Sequence, residues 1–556
     1  MIKEFETDYT GAYDLLDSQN PYDHINTGLF TFGPGSGICA YIPEQTEDSC
    51  WSVTLCLPAQ IALEDFLTQS GWKVRADADK IILFLLRPEK GWQGTEEDVA
   101  LIEDMRSRLE KRTHFVAQSF FAYLVGYGQG ATAALRYAQR HPAGFASLAC
   151  VGDFEWTKEP AEALEAAALA YVSTDEVPLP AYFLVNGESE PFSQAFCFFM
   201  DKNKTEETIY RSGTRWLARS QFRPCQDSIN LQPVADVIAD VDPDIDAVSS
   251  EATALIWNEL HKRIRTTGVG PGGLHPFFSL ESLHASLHEI DLGGTRFHWR
   301  EYVPTRNVSR KGKKPLVVFL HGKTQVAESG LYAADWINVA ESRDFIVVFP
   351  SGGMTQERMN EIPLPGWNIG KREGCFQDDV AFIRAMVEDV CEREAVDESR
   401  IYVVGHSLGG AMVQRCLLEM PDVFAAGASN SGVLPEAFFD GDYPTDKDVA
   451  VWIEISEHDI DSSDLSNSPK VCADLNYWIK RGNLTPFEQA GSFDYGRYHS
   501  LVWHNAKGVP MLRFTSVLDK THGIMPQDAW SYYDQFFCRF SRGADGSLFY
   551  LNQPIC

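Results

Sequence analysis

The stretch that decides the fold reads Ile401-Tyr402-Val403-Val404-Gly405-His406-Ser407-Leu408-Gly409-Gly410. Its first four residues are β-branched or aromatic and favour a strand, whereas helix-forming residues follow Gly410. The pattern Gly-x-Ser-x-Gly lies between these two parts. In such a context, small residues on either side of the serine allow a sharp turn that carries the serine at its tip. We therefore predict a strand, a tight turn and a helix, with Ser407 as a candidate nucleophile.

The bulk composition limits the classes of function. The chain has 556 residues, so roughly two or three domains are expected. The net charge of −30 opposes binding to nucleic acids and to anionic membranes. The first residues contain no apolar leader, and no stretch is long enough to span a bilayer, which predicts a cytoplasmic protein without a membrane partner. The 12 cysteines lack the spacing of a metal site, so we expect free thiols, no metal and no cofactor.

A second, similar pattern lies upstream, where an apolar run leads into Gly126-Tyr127-Gly128-Gln129-Gly130. The offset between three matching pairs is constant at 279 residues: Gly126 and Gly405, Pro142 and Pro421, Phe145 and Phe424. A Gly-Trp pair followed by an aspartate also occurs twice, at Gly91-Trp92 with Asp98 and at Gly366-Trp367 with Asp379. A constant offset across several elements indicates two copies of one domain.

The two copies differ at the serine. The first copy has Gly128 in place of Ser407, and it has no histidine near the place where the second has His522. We therefore predict three parts: an inactive domain over residues 1–268, a linker over 269–284 with a glycine-rich start, and a catalytic domain over 285–556.

Short apolar runs alternate with helix-like segments in the second copy, which indicates a mostly parallel sheet covered by helices. The predicted strands are 297–303, 316–320, 346–349, 402–404, 424–429, 451–455 and 511–517. The predicted helices are 333–342 and 378–392. Asp379 is expected to cap or anchor the start of the second of these helices.

A serine nucleophile needs a base that takes its proton and an acid that orients the base. On this kind of turn the chain order is serine, acid, histidine. Asp459 follows the predicted strand 451–455 and is the candidate acid, because active sites of parallel sheets form at the carboxyl ends of the strands. Asp461 and Asp464 are close alternatives.

The candidate base is His522, because it follows the last predicted strand and precedes the last helix. His499 and His504 are alternatives that precede that strand. His406, beside the serine, is interpreted as packing or as a pocket wall. The role of His458 is left open.

The reaction builds a negative charge on the attacked carbonyl oxygen, which backbone N–H groups can stabilise. One such donor is expected to be the N–H of Leu408, directly after the serine. The other is expected in the loop 321–325, where Gly322 allows a close approach and the N–H of Lys323 is the candidate.

The second copy resembles the polyhydroxybutyrate depolymerase and feruloyl/acetylxylan esterase family, whose fold is the α/β-hydrolase fold. The resemblance rests on motifs at 320–322, 347–350, 366–368, 378–383, 400–407 and 521–523. We accordingly predict an α/β protein with two tandem α/β-hydrolase-like domains, the N-terminal one catalytically degenerate. The resemblance implies a serine carboxylesterase that uses Ser407, Asp459 and His522. It also implies that Trp367 and Asn368 lie near the substrate cleft, and we count His406 with them as substrate-binding.

Two features depart from the family pattern. Lys323 stands where many relatives have a cysteine, and the segment 521–526 replaces a more usual His-x-Trp-Pro. The expected partner is a small-molecule or oligomeric ester, of a carbohydrate-linked or aromatic acid or of a hydroxyalkanoate, and a homodimer is one expected arrangement. Acyl transfer and peptide hydrolysis are alternatives that use the same residues. A non-catalytic binding or scaffold protein is a third, which the intact serine, acid and histidine argue against.

Overall fold

The computed structural model describes residues 2–5, 26–44, 51–111, 115, 117–168, 173–221, 234–266, 273–305, 312–355, 364–370, 377–444 and 446–555. The chain divides into two compact units, and the change from the first to the second lies between Phe278 and Ser279. Each unit is built around one large, mostly parallel sheet with helices between its strands.

The first unit alternates strands and helices along the chain. Its strands are β1 (Lys3–Glu4), β2 (Gly28–Thr31), β3 (Ile38–Ile42), β4 (Ser52–Cys56), β5 (Ile82–Leu86), β6 (Ala122–Tyr127), β7 (Ser147–Val151), β8 (Ala181–Val185), β9 (Thr205–Ser212), β10 (Arg215–Ser220), β11 (Val237–Val241), β12 (Arg263–Arg265) and β13 (Leu274–Pro276). Its helices are α1 (Leu63–Gln69), α2 (Trp72–Asp79), α3 (Glu96–Lys111), α4 (Gln129–Arg140), α5 (Ala161–Ala167), α6 (Glu190–Lys202) and α7 (Ser250–Leu260).

The second unit follows the same plan. Its strands are β14 (Ser286–Leu292), β15 (Thr295–Tyr302), β16 (Lys314–Leu320), β17 (Ile346–Pro350), β18 (Met354–Thr355), β19 (Leu364–Pro365), β20 (Val396–His406), β21 (Ala426–Asn430), β22 (Ala450–His458), β23 (Gly491–Tyr495), β24 (Tyr498–His504), β25 (Pro510–Thr521), β26 (Phe540–Arg542), β27 (Leu548–Tyr550) and β28 (Gln553–Pro554). Its helices are α8 (Leu280–Leu283), α9 (Ala327–Ala333), α10 (Trp336–Arg343), α11 (Asp379–Arg393), α12 (Leu408–Glu419), α13 (Pro469–Arg481) and α14 (Pro526–Gln535).

Apart from β1, an additional edge strand of the first sheet, the two large sheets have the same strand order. The first reads β1-β2-β3-β5-β4-β6-β7-β8-β11-β10-β9, and the second reads β14-β15-β17-β16-β20-β21-β22-β25-β24-β23. The six central strands of each are parallel, and antiparallel strands flank them on both sides; β1 pairs with β2 in parallel. The predicted α/β class with a mostly parallel sheet is therefore confirmed.

The central strands are buried on both faces, which explains why they appear in the sequence as unbroken apolar runs rather than alternating ones. Every residue of β17 is buried, and so is every residue of β16 after Lys314. The periodicity of α11 is also met, because Phe382, Ile383 and Val387 are buried.

The predicted and observed elements differ in two places. The predicted helix 333–342 corresponds to α10, which begins three residues later, and the preceding helix α9 was not predicted. Strands β23 and β24 were not predicted either: β23 is exposed and has no apolar run, whereas β24 lies between β23 and β25 and is largely buried. Residues 267–272 of the glycine-rich stretch lie outside the described residues, and β13, within the predicted linker, pairs with β12. Among the described residues, no helix is both long enough and apolar enough to cross a membrane.

The two units share local details as well as strand order. Gly128 begins helix α4 with φ 55° and ψ −122°, and Ser407 begins helix α12 with φ 56° and ψ −119°. The Trp92 indole N–H donates to the Leu57 carbonyl over 2.7 Å, as that of Trp367 does to the His321 carbonyl over 2.8 Å. The Gly-Trp pairs noted in the sequence thus have the same structural task in each unit.

Candidate active site

Ser407 lies at the tip of the turn between β20 and α12. Its φ of 56° is in the left-handed region, which L-residues with a side chain rarely adopt. The Ser407 N–H donates to the Asn430 carbonyl at the end of the neighbouring strand over 2.8 Å, which ties the turn to the sheet. Such local strain is typical of a serine that a strand-to-helix turn presents to a substrate.

The glycines around the serine are required by close backbone contacts. A Cβ on Gly405 would lie 2.5 Å from the Gly409 carbonyl oxygen, and one on Gly409 would lie 2.2 Å from the Leu320 carbonyl oxygen. Neither distance is possible for a real side chain. The small residues therefore let the start of α12 pack directly on the end of β16.

Three side chains from distant parts of the chain meet at this turn. The Ser407 hydroxyl lies 2.8 Å from Nε2 of His522, and Nδ1 of His522 lies 2.6 Å from Oδ1 of Asp459. Because the carboxylate can only accept, Nδ1 carries the proton and Nε2 is free to accept one from the serine. The structure thus brings together the predicted nucleophile, base and acid.

Asp459 is held by several donors besides His522. Its carboxylate accepts hydrogen bonds from the Ser431 hydroxyl over 2.6 Å and from the Ile460 N–H over 2.7 Å. Burial of Asp459 opposes the charged form, but the hydrogen bonds from His522 and Ser431 outweigh it and hold the pKa of this carboxyl below its usual value. Asp459 is therefore ionised wherever the site works.

The alternative acids and bases have other partners. Asp461 lies 3.5 Å from Lys470, and Asp464 accepts from Ser466 and Asn467 in its own loop. His499 is exposed and bonded to Asp494. Of the other two histidines, His504 ends β24, and His458 lies 3.8 Å from Glu457.

His406 fits the predicted pocket wall. It is buried, and its ring centre lies 4.9 Å from that of His522. Its Nε2 atom has no hydrogen-bond partner, and burial followed by the nearby His522 puts its pKa well below the usual value. A neutral His406 therefore packs beside the base.

The loop after β16 is fixed by the imidazole of His321. Nδ1 of His321 lies 2.7 Å from the Gly322 carbonyl, and Nε2 accepts from the Gly352 N–H over 2.9 Å. Burial lowers the pKa of His321 to about 4, so it stays neutral. The Gly322 N–H donates to the Gln325 side chain and is occupied. The Leu408 N–H lies at the start of α12 and therefore has no intrahelical acceptor. The N–H groups of Lys323 and Leu408 stay the predicted donors to the oxyanion.

Trp367 and Asn368, which the resemblance places near the substrate cleft, contact groups of the protein itself. Trp367 is completely buried and packs against His321 in the loop after β16. The Asn368 side chain donates to the Gln377 carbonyl, and its backbone N–H donates to Asp379. Their role in substrate binding stays a prediction.

The helix cap that was predicted for Asp379 is formed by its neighbour Asp378. Asp378 accepts from the Ala381 N–H over 3.0 Å and is the residue before α11. Asp379 is buried and instead anchors the segment around Asn368, as expected for the alternative of an anchor. Burial raises the pKa of the Asp379 carboxyl to about 7.

Sequence reasoning missed Ser431, whose hydroxyl contacts the acid. Its one signal is its position directly after β21, at the same sheet edge as Ser407 and Asp459. Its φ of 53° is again in the left-handed region. A serine with such a backbone beside the candidate acid has a positioning task.

A buried polar cluster under the site was also missed. Lys520 lies 2.5 Å from Glu454 and 2.8 Å from Asp528, and all three side chains are buried. The Asn430 amide donates to Glu454 over 2.9 Å and to the Tyr532 hydroxyl over 2.8 Å. Because the Asn430 carbonyl holds the N–H of the serine, this cluster supports the turn from inside the sheet.

Glu457, His458 and Asp519 each place one potential ligand atom within 4.8 Å of the others. All three are exposed, and such groups are common without an ion, so we assign no metal to them.

Comparison with known proteins gives matches to the second unit's fold. A model of the prolyl oligopeptidase family matches residues 336–460. This match runs from α10 to the end of β22 and includes the turn at Ser407. The strand order of the sheet and the chain order of Ser407, Asp459 and His522 are those expected of the α/β-hydrolase fold. The second unit is an α/β-hydrolase domain. The turn at Ser407, the aspartate after β22 and the histidine after β25 follow one another in the chain order typical of this fold.

Several curated relatives of the chain are named as a depolymerase or as esterases. The poly(3-hydroxyalkanoate) depolymerase C of Paucimonas lemoignei is 26% identical over 236 residues, which is 38% of this chain and 55% of the relative. Feruloyl esterase B of Thermothelomyces thermophilus is 31% identical over 156 residues, 27% of this chain and 50% of the relative. The chain spans about half the length of these relatives. An acetyl xylan esterase structure from Aspergillus awamori, at 16% identity, covers 45% of this chain and 98% of its own with a TM-score of 0.33.

Proposed function

We propose that the second unit is a serine carboxylesterase. The observation that carries the proposal is the hydrogen-bonded row Ser407–His522–Asp459, with contacts of 2.8 and 2.6 Å. The names of the curated relatives, a polyester depolymerase and feruloyl esterases, support ester bonds as the target.

The geometry suggests a two-step reaction. Ser407 Oγ attacks the ester carbonyl carbon while its proton passes to Nε2 of His522, and the resulting oxyanion lies near the Leu408 N–H at the start of α12. Collapse releases the alcohol, which takes the proton from His522. A water molecule then gives a proton to His522 and attacks the acyl group, so that the acid leaves and Ser407 regains its proton. Asp459 stabilises the imidazolium in both steps.

The proposed substrates are esters of carbohydrate-linked or aromatic acids, or hydroxyalkanoate oligomers. These classes come from the names of relatives that the chain only partly spans. The homodimer and the cytoplasmic location stay predictions.

The test is a paired assay of wild type and Ser407→Ala with a fluorophosphonate probe and acetyl, butyryl, feruloyl and hydroxybutyrate esters. We expect labelling and hydrolysis in wild type, and loss of both in the variant. Ser466→Ala, which changes a serine in a loop away from the triad, serves as a matched control and should keep both. Hydrolysis that survives in Ser407→Ala would contradict the mechanism.

Peptide hydrolysis is a second candidate, which the match to the prolyl oligopeptidase family favours. The same triad cleaves amides if the leaving amine is protonated by His522. A proline-containing chromogenic peptide, added to the same panel, separates the two. A larger kcat/KM for the peptide than for every ester would replace the esterase assignment.

We also propose that the first unit is a copy of the same domain without catalysis. The equal strand order and the equal turn dihedrals support a common origin. At the position of Ser407 it has Gly128, and residues 242–249, which follow β11 as His522 follows β25, contain no histidine. Without nucleophile or base at these positions, the turn has no proton-transfer chemistry.

A further inference from the structure

Two arginines of the first unit meet away from the Gly128 turn. Nε of Arg106, on helix α3, donates to the Gly144 carbonyl over 2.6 Å. Nε of Arg265, at the end of β12, donates to the next carbonyl, that of Phe145, over 3.0 Å. Because consecutive carbonyls hold them, the two guanidinium groups lie close together.

Among the described residues, Arg265 is buried without a counter-charge. It is only 4% exposed, and its Nη2 donates to the Pro178 carbonyl over 2.6 Å. Its Nη1 has no hydrogen-bond partner in the described part of the chain. The acceptors of Arg265 among the described residues are neutral carbonyl oxygens, so they satisfy hydrogen bonds but do not neutralise the charge.

The energetic cost of this arrangement is high. A buried cation without a paired anion is strongly disfavoured, and a second cation nearby adds repulsion. Burial, and then the charge of Arg106, lower the pKa of Arg265 to about 9, which is still high enough to keep it charged at neutral pH.

A cavity of about 30 Å³ lies between these groups. The polar side chains of its lining come from Arg106, Arg265, Ser119 and Thr266, and none of the described lining residues is acidic. This volume is enough for one or two water-sized atoms, about the size of a halide ion or the two oxygens of a carboxylate. Water could fill the space, but it would not balance the charge.

We propose that this cavity is a binding site for a small monovalent anion, either free chloride or a single carboxylate group. The unpartnered Nη1 of Arg265 donates to the anion, and the guanidinium of Arg106 adds a second positive charge beside it. The hydroxyl of Ser119 supplies a neutral donor. The site lies in the first unit and makes no use of Ser407, so it does not depend on the proposed esterase activity.

The test measures the thermal midpoint of the full chain as chloride or formate replaces gluconate, an anion too large for the cavity, at constant ionic strength. Above the dissociation constant, wild type should gain roughly 3–5 °C for each tenfold rise in the small anion. Arg265→Gln and Arg106→Gln should lose more than half of this slope. Arg219→Gln, which changes an exposed arginine of the same unit, should keep it. A response to formate but not to chloride would point to a carboxylate ligand.

A crystallographic readout covers the case in which Arg265→Gln fails to fold. Crystals of the wild-type protein grown with bromide should give an anomalous peak in the cavity between Arg106 and Arg265. The proposal is overturned if no anomalous peak appears there and the formate slopes of wild type and Arg106→Gln are also equal, because only water would then fill the cavity.

Discussion

Two members of the candidate triad are held in position by groups outside the triad. Ser407 is fixed through its backbone to Asn430, and Asp459 through Ser431 and the N–H of Ile460. Pre-set positions matter because a misplaced nucleophile or base loses much of its rate advantage. The effect of a substitution therefore depends on which of these positioning hydrogen bonds it removes.

We expect Asp459→Asn to lower kcat/KM by about 10³- to 10⁴-fold, because the amide favours the wrong tautomer of His522. Asp461→Asn and Asp464→Asn, which change the alternative acids, should leave the rate near that of wild type. Steady-state kinetics on the best ester of the panel provides the measurement. A loss of similar size in Asp464→Asn would move the acid to the other residue.

Ser431→Ala is expected to lower kcat by about tenfold, since Asp459 loses a charge-assisted hydrogen bond. The lost bond normally favours the ionised carboxylate, so the pKa of Asp459 should rise, which a carboxyl ¹³C NMR titration measures. The matched control is Ser463→Ala, a buried serine bonded to Ser516 instead. A tenfold loss of kcat with an unchanged titration of Asp459 would indicate a purely structural role.

Chain order made Ser407, Asp459 and His522 predictable, because the acid and the base each follow a recognisable apolar strand. Ser431 was not predictable, since its role depends on a left-handed turn that no local pattern announces. The burial of Trp367 depends on how two loops pack, and this information lies in tertiary contacts rather than in spacing.

At the scale of elements, the turn between β20 and α12 works because a helix begins in direct contact with a neighbouring strand. The strands flanking it were predictable from their apolar runs, and the helix from the helix-forming residues after Gly410. Helix α9 was not predicted, and neither proline nor glycine marks the break between α9 and α10 at Ala334 and Asp335.

Gly409→Ala is expected to destabilise the second unit by about 2–4 kcal/mol and to abolish most activity, because its Cβ would collide with the Leu320 and His321 carbonyls. Gly491→Ala, whose Cβ would lie 3.7 Å from its nearest neighbour, is the control and should change little. Urea denaturation and the ester assay measure the two effects. A Gly409→Ala protein with wild-type stability would mean that the turn tolerates wider spacing.

Helix α13 carries a second testable feature, the buried Asp474, which accepts from Gln414 and from the Leu434 N–H. Burial raises the pKa of its carboxyl to about 7, so the folded state binds this proton more tightly than the unfolded state does. Its contribution to stability is therefore complete below the unfolded pKa and is lost as the pH rises towards 7.

Asp474→Asn stays neutral, so its stability relative to wild type should increase between pH 4 and pH 7 by at most about 4 kcal/mol. Chemical denaturation across this range is the measurement. The exposed Asp440→Asn should show no such trend. A stability difference that is constant with pH would show that Asp474 is already ionised in the fold.

At the scale of the whole molecule, two units repeat one strand order. The constant offset of 279 residues in the sequence pointed to this repeat before any contact was known. The backbone of the turn at Gly128 keeps the dihedrals of the turn at Ser407, so the proposed loss of catalysis in the first unit rests on its side chains.

This separation of backbone from chemistry can be tested with Gly128→Ser in a Ser407→Ala background. We expect no fluorophosphonate adduct by intact mass, because no histidine follows β11 to accept the proton. The single variant Gly128→Ser, which keeps Ser407, should bind one fluorophosphonate per chain. Stoichiometric labelling at position 128 would mean that the first unit retains a base.

The triad joins residues that are far apart in the chain: 115 positions separate Ser407 from His522, and 63 separate Asp459 from His522. β25 must therefore dock beside β22 before the imidazole can reach either partner. Contacts of such long sequence separation form late and slowly. During refolding, the return of ester turnover would then lag behind the return of secondary structure, and turnover would serve as a clock for the last strand to join the sheet.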